Sequence, residues 1–208
     1  MKKSKRIKKS NSWKIKQHRD QFFKKSKTLG YRSRASFKLI ELNKKYKFLK
    51  KNTNLLDLGS CPGGWSQVVS QIISSGRIMS IDIKKMEPIK NVKFFKGDVL
   101  SKETKFAVLE YFKSNLDVIL SDMAADTTGN KSLDSIRTNQ LCADVINFSK
   151  ETLKPKGVLV SKIFMGEDFL EVKNLAKSTF NKVNFFKPES SRKESKETYL
   201  HCEILKSL

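Results

Sequence analysis

Lys162 stands in Val158-Leu159-Val160-Ser161-Lys162-Ile163-Phe164, a run otherwise fit for complete burial. An unpaired ammonium there is costly, or else it gives up its proton more readily. Such a lysine either snorkels out at a strand end or lies at an active edge beside a partner. Partly desolvated and next to another cation, it can approach the neutral form and accept a proton. The nearest acid by strand order is Asp122, in Val118-Ile119-Leu120-Ser121-Asp122-Met123-Ala124.

Three acids end or follow three successive apolar runs. Asp82 closes RIMSID, Asp98 follows in FFKGDVL, and Asp122 closes the third. Each alone could be a helix cap, but capping explains three in a row poorly when they follow a glycine-rich turn. That turn is residues 57–65, DLGSCPGGW, lying between the run NLLDLG and a helical stretch. Its glycines permit tight turning and close backbone approach to a ligand. The pattern breaks the dinucleotide fingerprint G-x-G-x-x-G, and an acidic rim suits a cationic sulfonium better than a pyrophosphate. The expectation is therefore S-adenosylmethionine rather than a nicotinamide dinucleotide. Asp82 is placed to accept both ribose hydroxyls, and Asp98 to lie near an adenine edge.

The elements that must position these groups are legible in outline. Strands are expected at 54–58, 77–82, 92–95, 116–121, 157–164, 182–187 and 198–205, with helices near 64–74, 103–113, 133–153 and 167–179. Alternating strands and helices with right-handed crossovers make an α/β protein with a Rossmann-like, doubly wound sheet. Ligands bind such sheets beyond the carboxyl ends of the strands. The last two strands have no helical stretch between them and are expected as an antiparallel pair at the sheet's end. An earlier helix is expected over 33–46, capped by Ser33. Its apolar stripe is Ala35, Leu39, Leu42 and Tyr46, and Lys38 borders it. The first 27 residues lack a steady apolar period and promise only a frayed or conditional helix.

Charge is unevenly spread over the 208 residues. Residues 1–51 hold 20 lysines and arginines against Asp20 and Glu41, a surplus of 18 in a net charge of +22. With Trp13, Phe22, Phe23 and Tyr31 interleaved, this segment points to a polyanion, whose phosphates would release counterions on binding. No apolar run approaches the roughly 18 residues that a membrane span needs. The lysine-rich N-terminus, MKKSKRIKKSNSWKIK, fits neither a secretory signal nor an arginine-favouring transit peptide. Three cysteines (Cys61, Cys142, Cys202) and two histidines (His18, His201) at wide spacing argue against disulfides and structural zinc. A reduced, cytoplasmic setting without a metal is the expectation.

Taken with their order and spacing, the stretches YRSRASFKLIEL, LDLGSCPGGWSQVV, GRIMSIDI, GDV, SDMAAD, GVLVSKIFMGE and KPESSRKESKETY carry a resemblance along nearly the whole chain. The sequence resembles the FtsJ/RrmJ (RlmE) family of ribosomal RNA 2′-O-methyltransferases. The resemblance implies a seven-stranded sheet whose last strand inserts antiparallel, and an active-site tetrad of Lys38, Asp122, Lys162 and Glu197. Lys38, Asp122 and Lys162 also stand out from the strand and helix pattern itself. Glu197 rests on the resemblance, with Glu194 as its rival, and is preferred because the family's Glu stands two before an aromatic, here Tyr199.

The implied chemistry is attack by a ribose 2′-oxygen on a sulfonium methyl, with Lys162 as general base. Asp122 and Glu197 would orient it, while Lys38 would hold ribose or phosphate and help lower the pKa of Lys162. The expected cofactor contacts are Gly63, Trp65, Asp82, Asp98 and Asp122. Residues 1–30 would be a basic RNA-binding arm and 31–208 the methyltransferase domain of a monomer. The implied target is a uridine of 23S ribosomal RNA, in the A loop of the peptidyl transferase centre on the large subunit. A transfer RNA or cap substrate is the nearest alternative, and a non-catalytic ribosome assembly factor the more distant one. Two departures stand out. SDMAAD replaces SDMAPN, so Ala125 and Asp126 suggest a looser loop with an extra negative charge. Ser60 and Cys61 replace a small pair of similar size.

Overall fold

In the computed structural model, which describes residues 20–206, the first described residue is Asp20, the N-cap of helix α1 (Gln21–Thr28). One Asp20 carboxylate oxygen accepts from the Phe22 and Phe23 N–H groups, satisfying two of the orphan donors of a helix start. The basic arm expected over 1–30 is thus described only from residue 20, and residues 1–19 lie outside the described residues. Helix α2 (Ala35–Tyr46) follows and buries Phe37, Leu39 and Leu42. Ser33 does not cap it. Arg34 occupies the cap position but its side chain makes no capping hydrogen bond, and the Ser33 hydroxyl is buried against Gly64 without a partner.

The remaining elements alternate: β1 (Leu55–Leu58), α3 (Gly64–Ile72), β2 (Ile78–Asp82), β3 (Val92–Lys96), α4 (Lys102–Phe112), β4 (Leu116–Ser121), α5 (Lys131–Thr152), β5 (Leu153–Phe164), α6 (Phe169–Thr179), β6 (Phe180–Phe186) and β7 (Glu197–Leu205). The strands form one sheet in the order β3-β2-β1-β4-β5-β7-β6. Strands β1 to β5 pair in parallel, and β7 runs antiparallel between β5 and β6. Hydrophobic clusters cover both faces. One face packs Val145, Ile146 and Phe180 over Leu56, Ile119 and Ile163. The other packs Leu39, Leu42, Trp65 and Val69 over Leu55, Leu120 and Tyr199. Burial on both faces explains the uninterrupted apolar runs of the central strands.

Strand β5 starts four residues earlier than its apolar run suggests. Leu153 pairs with Leu116, and the register then shifts before Val158 pairs with Val118. Pro155 and Gly157 lie in the irregular stretch, where a proline costs no ladder bond. Among the described residues, no helix is long and apolar enough to cross a membrane.

Candidate active site

The order reverses at β1, whose neighbours are β2 and β4, and the cavity opens where such a reversal leaves a crevice. Gly59 follows β1 with φ of +70°, and a Cβ there would run into the Met123 side chain. Asp82 then fixes the turn. Its Oδ2 accepts from the Cys61 N–H at 2.8 Å and its Oδ1 from the Lys84 N–H at 2.7 Å. The resulting cavity has a volume of about 660 Å³, within the usual range for small-molecule sites, and Gly59, Asp82, Asp98, Asp122 and Met123 line it. Ile83 and Leu100, 62% and 51% exposed, stand on its wall as uncovered apolar side chains. Apolar flanks beside a carboxylate with free lone pairs fit an adenosine, the flanks for a ring and Asp82 for a diol.

Of the five expected cofactor contacts, Asp82, Asp98 and Asp122 line this cavity, whereas Gly63 and Trp65 do not. Gly63 turns toward Arg32, Met86 and Ile89. Trp65 is 2% exposed, donates its indole N–H to the Ala35 carbonyl at 2.9 Å and packs 5.6 Å from the Tyr199 ring. The first turn of α3 directs that ring into the interface with α2, so Trp65 supports the site from below. The loop after Asp122 is tied to α5. Ala125 N–H donates to Thr138 Oγ1 at 3.2 Å, and Arg137 donates to the Asp126 carbonyl at 3.2 Å.

Beside the cavity, sheet register gathers four charges. Ser121 is opposite Ser161, which sets Asp122 beside Lys162 at the ends of β4 and β5. On the other side Lys162 is opposite Tyr199 and Phe164 opposite Glu197. Strand periodicity puts Glu197 and Tyr199 on one face with Lys162. Lys162 Nζ donates to Asp122 Oδ1 at 2.8 Å and to the Asp122 carbonyl at 2.7 Å, and lies 3.7 Å from Glu197 Oε2. Lys38 reaches in from α2 to both Glu197 oxygens, at 2.7 and 2.8 Å. The four groups form a row of alternating sign, Lys38, Glu197, Lys162, Asp122. Glu194 is exposed and Glu197 only 8% so.

This row corrects one electrostatic expectation. Burial would lower the Lys162 pKa, but Asp122 and then Glu197, with their hydrogen bonds, more than offset it and hold the ammonium above the ordinary lysine range. Glu197 stands between the two lysines, so Lys38 does not strip Lys162 of its proton. Burial pushes Asp122 upward, but Lys162 and Lys38 outweigh it and leave the carboxyl below its ordinary value.

Three participants escaped the sequence. Tyr199, fully buried, donates its hydroxyl to Asp122 Oδ1 at 2.6 Å. Ser191 donates to Glu197 Oε1 at 2.9 Å. Asp57 lies under the glycine-rich turn, with Oδ2 accepting from Ser66 Oγ at 2.5 Å and Oδ1 unpartnered. Burial first, with Asp122 and Asp82 adding to it, raises its pKa to about 7 despite the Ser66 bond. Only Tyr199 left a readable signal, the period of two that sets it on the face of Glu197.

Known proteins match this chain over nearly its whole length. Residues 31–204 match the family model of the FtsJ-like methyltransferases. Ribosomal RNA large subunit methyltransferase E of Pelagibacter ubique is 47% identical over 197 residues, covering 95% of this chain and 97% of that protein. Its namesake in Rickettsia bellii is 41% identical over 202 residues, covering 94% and 89%. The crystal structure of a ribosomal RNA methyltransferase from Plasmodium falciparum superposes with a TM-score of 0.75 at 34% identity, covering 84% of this chain and 98% of that one. A Streptococcus mutans methyltransferase in complex with SAH shares the fold, with a TM-score of 0.54 at 16% identity over 80% and 97% of the two chains. A match from Tyr31 to Ile204 leaves no part of the site outside it: the chain belongs to the FtsJ-like methyltransferase family.

Proposed function

We propose that this protein transfers the methyl group of S-adenosylmethionine to the 2′-oxygen of a uridine ribose in 23S ribosomal RNA. The target would be the A loop of the peptidyl transferase centre, on the large ribosomal subunit. The observation that carries this reading is the buried Lys38-Glu197-Lys162-Asp122 row beside an acid-rimmed cavity. The ribosomal substrate draws support from the names of the Pelagibacter and Rickettsia relatives and from the basic surplus of residues 1–51.

When bound, S-adenosylmethionine supplies an electrophilic methyl on a cationic sulfonium. Asp82 would hold the ribose hydroxyls of that cofactor, Asp98 would face the adenine edge, and Ile83 and Leu100 would flank the ring. Asp122 borders both the cavity and Lys162. Sharing its charge with a second cation would loosen its hold on the Lys162 proton. Lys162, once its own proton has passed to solvent, would take the proton of the substrate 2′-hydroxyl as that oxygen bonds the methyl carbon and the methyl–sulfur bond breaks, the thioether S-adenosylhomocysteine leaving. Glu197 and Asp122 keep Nζ aimed while Tyr199 fixes the Asp122 carboxylate. Lys38 spends its contacts on Glu197, and a third N–H remains to meet a ribose or phosphate oxygen. Holding the nucleophile in line supplies much of the remaining acceleration.

The deciding experiment is tritiated methyl transfer from S-adenosylmethionine to purified, undermethylated large subunits, followed by mapping of the modified nucleotide. A methyl on a 23S uridine ribose is expected. A methyl on transfer RNA would overturn the substrate, and one on a base atom would overturn the chemistry.

A further inference from the structure

The connection between β6 and β7, residues 187–196, reads KPESSRKESK, a composition suited to a solvated loop. Its first half is nevertheless docked against α2. Glu189 and Ser190 donate their backbone N–H groups to the two Glu41 oxygens, at 2.6 and 3.1 Å. Arg34 donates to the Ser190 carbonyl, and the Ser191 N–H closes a turn on the Pro188 carbonyl at 3.0 Å. Ser190 and Ser191 are consequently buried while Arg192, Lys193 and Glu194 are exposed.

The two buried serines differ: the Ser190 hydroxyl has no hydrogen-bond partner, whereas the Ser191 hydroxyl donates to Glu197 Oε1 at 2.9 Å. The bond removes a freedom the carboxylate otherwise has. Lys38 engages both Glu197 oxygens at close range, whereas Lys162 is 3.7 Å from Oε2. Without a third contact, the carboxylate is free to turn about its last torsion toward Lys38 and away from Lys162. Ser191 pins Oε1 and so keeps Oε2 directed at Lys162.

We propose that Ser191 is a positioning residue for methyl transfer, with Glu41 anchoring the loop that carries it. This rests on the roles assigned above to Lys162 and Glu197. Neither Ser191 nor Glu41 lines the cofactor cavity. Both act through Glu197.

The test is single-turnover methyl transfer to undermethylated large subunits, with S-adenosylhomocysteine binding measured by calorimetry on the same proteins. Ser191→Ala is expected to slow the saturated rate about tenfold, the loss of one hydrogen bond to a charged group. Its S-adenosylhomocysteine affinity is expected to stay within about twofold, since the lost contact is outside the cavity. Ser191→Thr, which keeps the hydroxyl, should recover most of the rate. Glu41→Ala should slow the same step, and the double variant should be no slower than the slower single one, because both act on one carboxylate. A wild-type rate in Ser191→Ala, no recovery in Ser191→Thr, or full additivity would each overturn the proposal. If Ser191→Ala does not fold, an unchanged rate in Glu41→Ala overturns it as well. Wild-type protein that leaves ribose oxygens unmethylated defeats the underlying assignment instead, a result distinct from an active wild type with an indifferent Ser191→Ala.

Discussion

Asp122 accepts two hydrogen bonds from the Lys162 ammonium, one on its carboxylate at 2.8 Å and one on its own backbone carbonyl at 2.7 Å. A residue that binds its neighbour through both side chain and main chain fixes direction as well as distance. The same grip retains the proton that a base must lose.

The first prediction concerns that proton. Lys162 is held above the ordinary lysine range, so its neutral fraction rises with pH through neutrality. The saturated single-turnover rate should climb by up to about tenfold per pH unit between about pH 6.5 and 9. Lys162→Ala should be slower by at least about a hundredfold, with that climb removed. A wild-type rate that is flat or falls over this interval would remove Lys162 from the role of base.

The second separates support from contact. Trp65 packs under the site and Asp82 faces the cavity. Trp65→Phe should leave S-adenosylhomocysteine affinity within about threefold while costing about 1 kcal/mol of stability through the lost bond to Ala35. Asp82→Ala should weaken the affinity by more than about tenfold, because a buried polar recognition group is lost. Calorimetry and denaturant unfolding of both variants would expose a reversed order.

The third uses Asp57. Its folded pKa of about 7 lies above the ordinary carboxylate value. The stability from its protonated form is therefore full below pH 4 or so and lost as pH rises through about 7. Asp57→Asn carries no such charge. Its stability relative to wild type should improve between pH 5 and pH 8, by an amount on the order of 2 kcal/mol. Urea unfolding at the two pH values measures it, and a pH-independent difference would show that Asp57 is not the titrating group.

The fourth uses His201, fully buried and stacked on Tyr46 at 3.8 Å, with neither ring nitrogen hydrogen-bonded. Burial lowers its pKa to about 4 despite Glu203 nearby. A depressed histidine contributes stability above about pH 6.5 that is lost as pH falls through about 4. His201→Phe should therefore unfold at a lower pH than wild type during acid titration followed by circular dichroism. An unchanged acid midpoint would assign the transition to other groups, such as Asp122.

Sequence legibility followed the physics of each residue. The central strands declared themselves because burial on both faces leaves an uninterrupted apolar run, and Lys162 stood out against it. The three cavity acids were visible because they end successive strands. Glu197 carries no such contrast: it opens β7 in a charged, serine-rich stretch, and only register with Phe164 turns it inward. Ser33 and Trp65 misled for a related reason. Their types fit a cap and a cofactor contact, but the close approach of α2 to α3 at Gly64 draws both into packing. Asp57 was hidden because the glycine-rich turn that contains it explains an acid there without invoking its charge.

Strand β7 has a consequence for how the molecule comes into being. It slots between β5 and β6, and its first residue is Glu197. During synthesis, residues 31–186 emerge carrying the residues of the five parallel strands and both lysines while the row of charges still lacks its second carboxylate. Under the roles proposed above, activity would begin only after the closing strand pairs between β5 and β6, a late, long-range pairing of the kind that slows folding. A growing chain would then hold every cavity-lining residue, Gly59 to Leu141, before it holds Glu197.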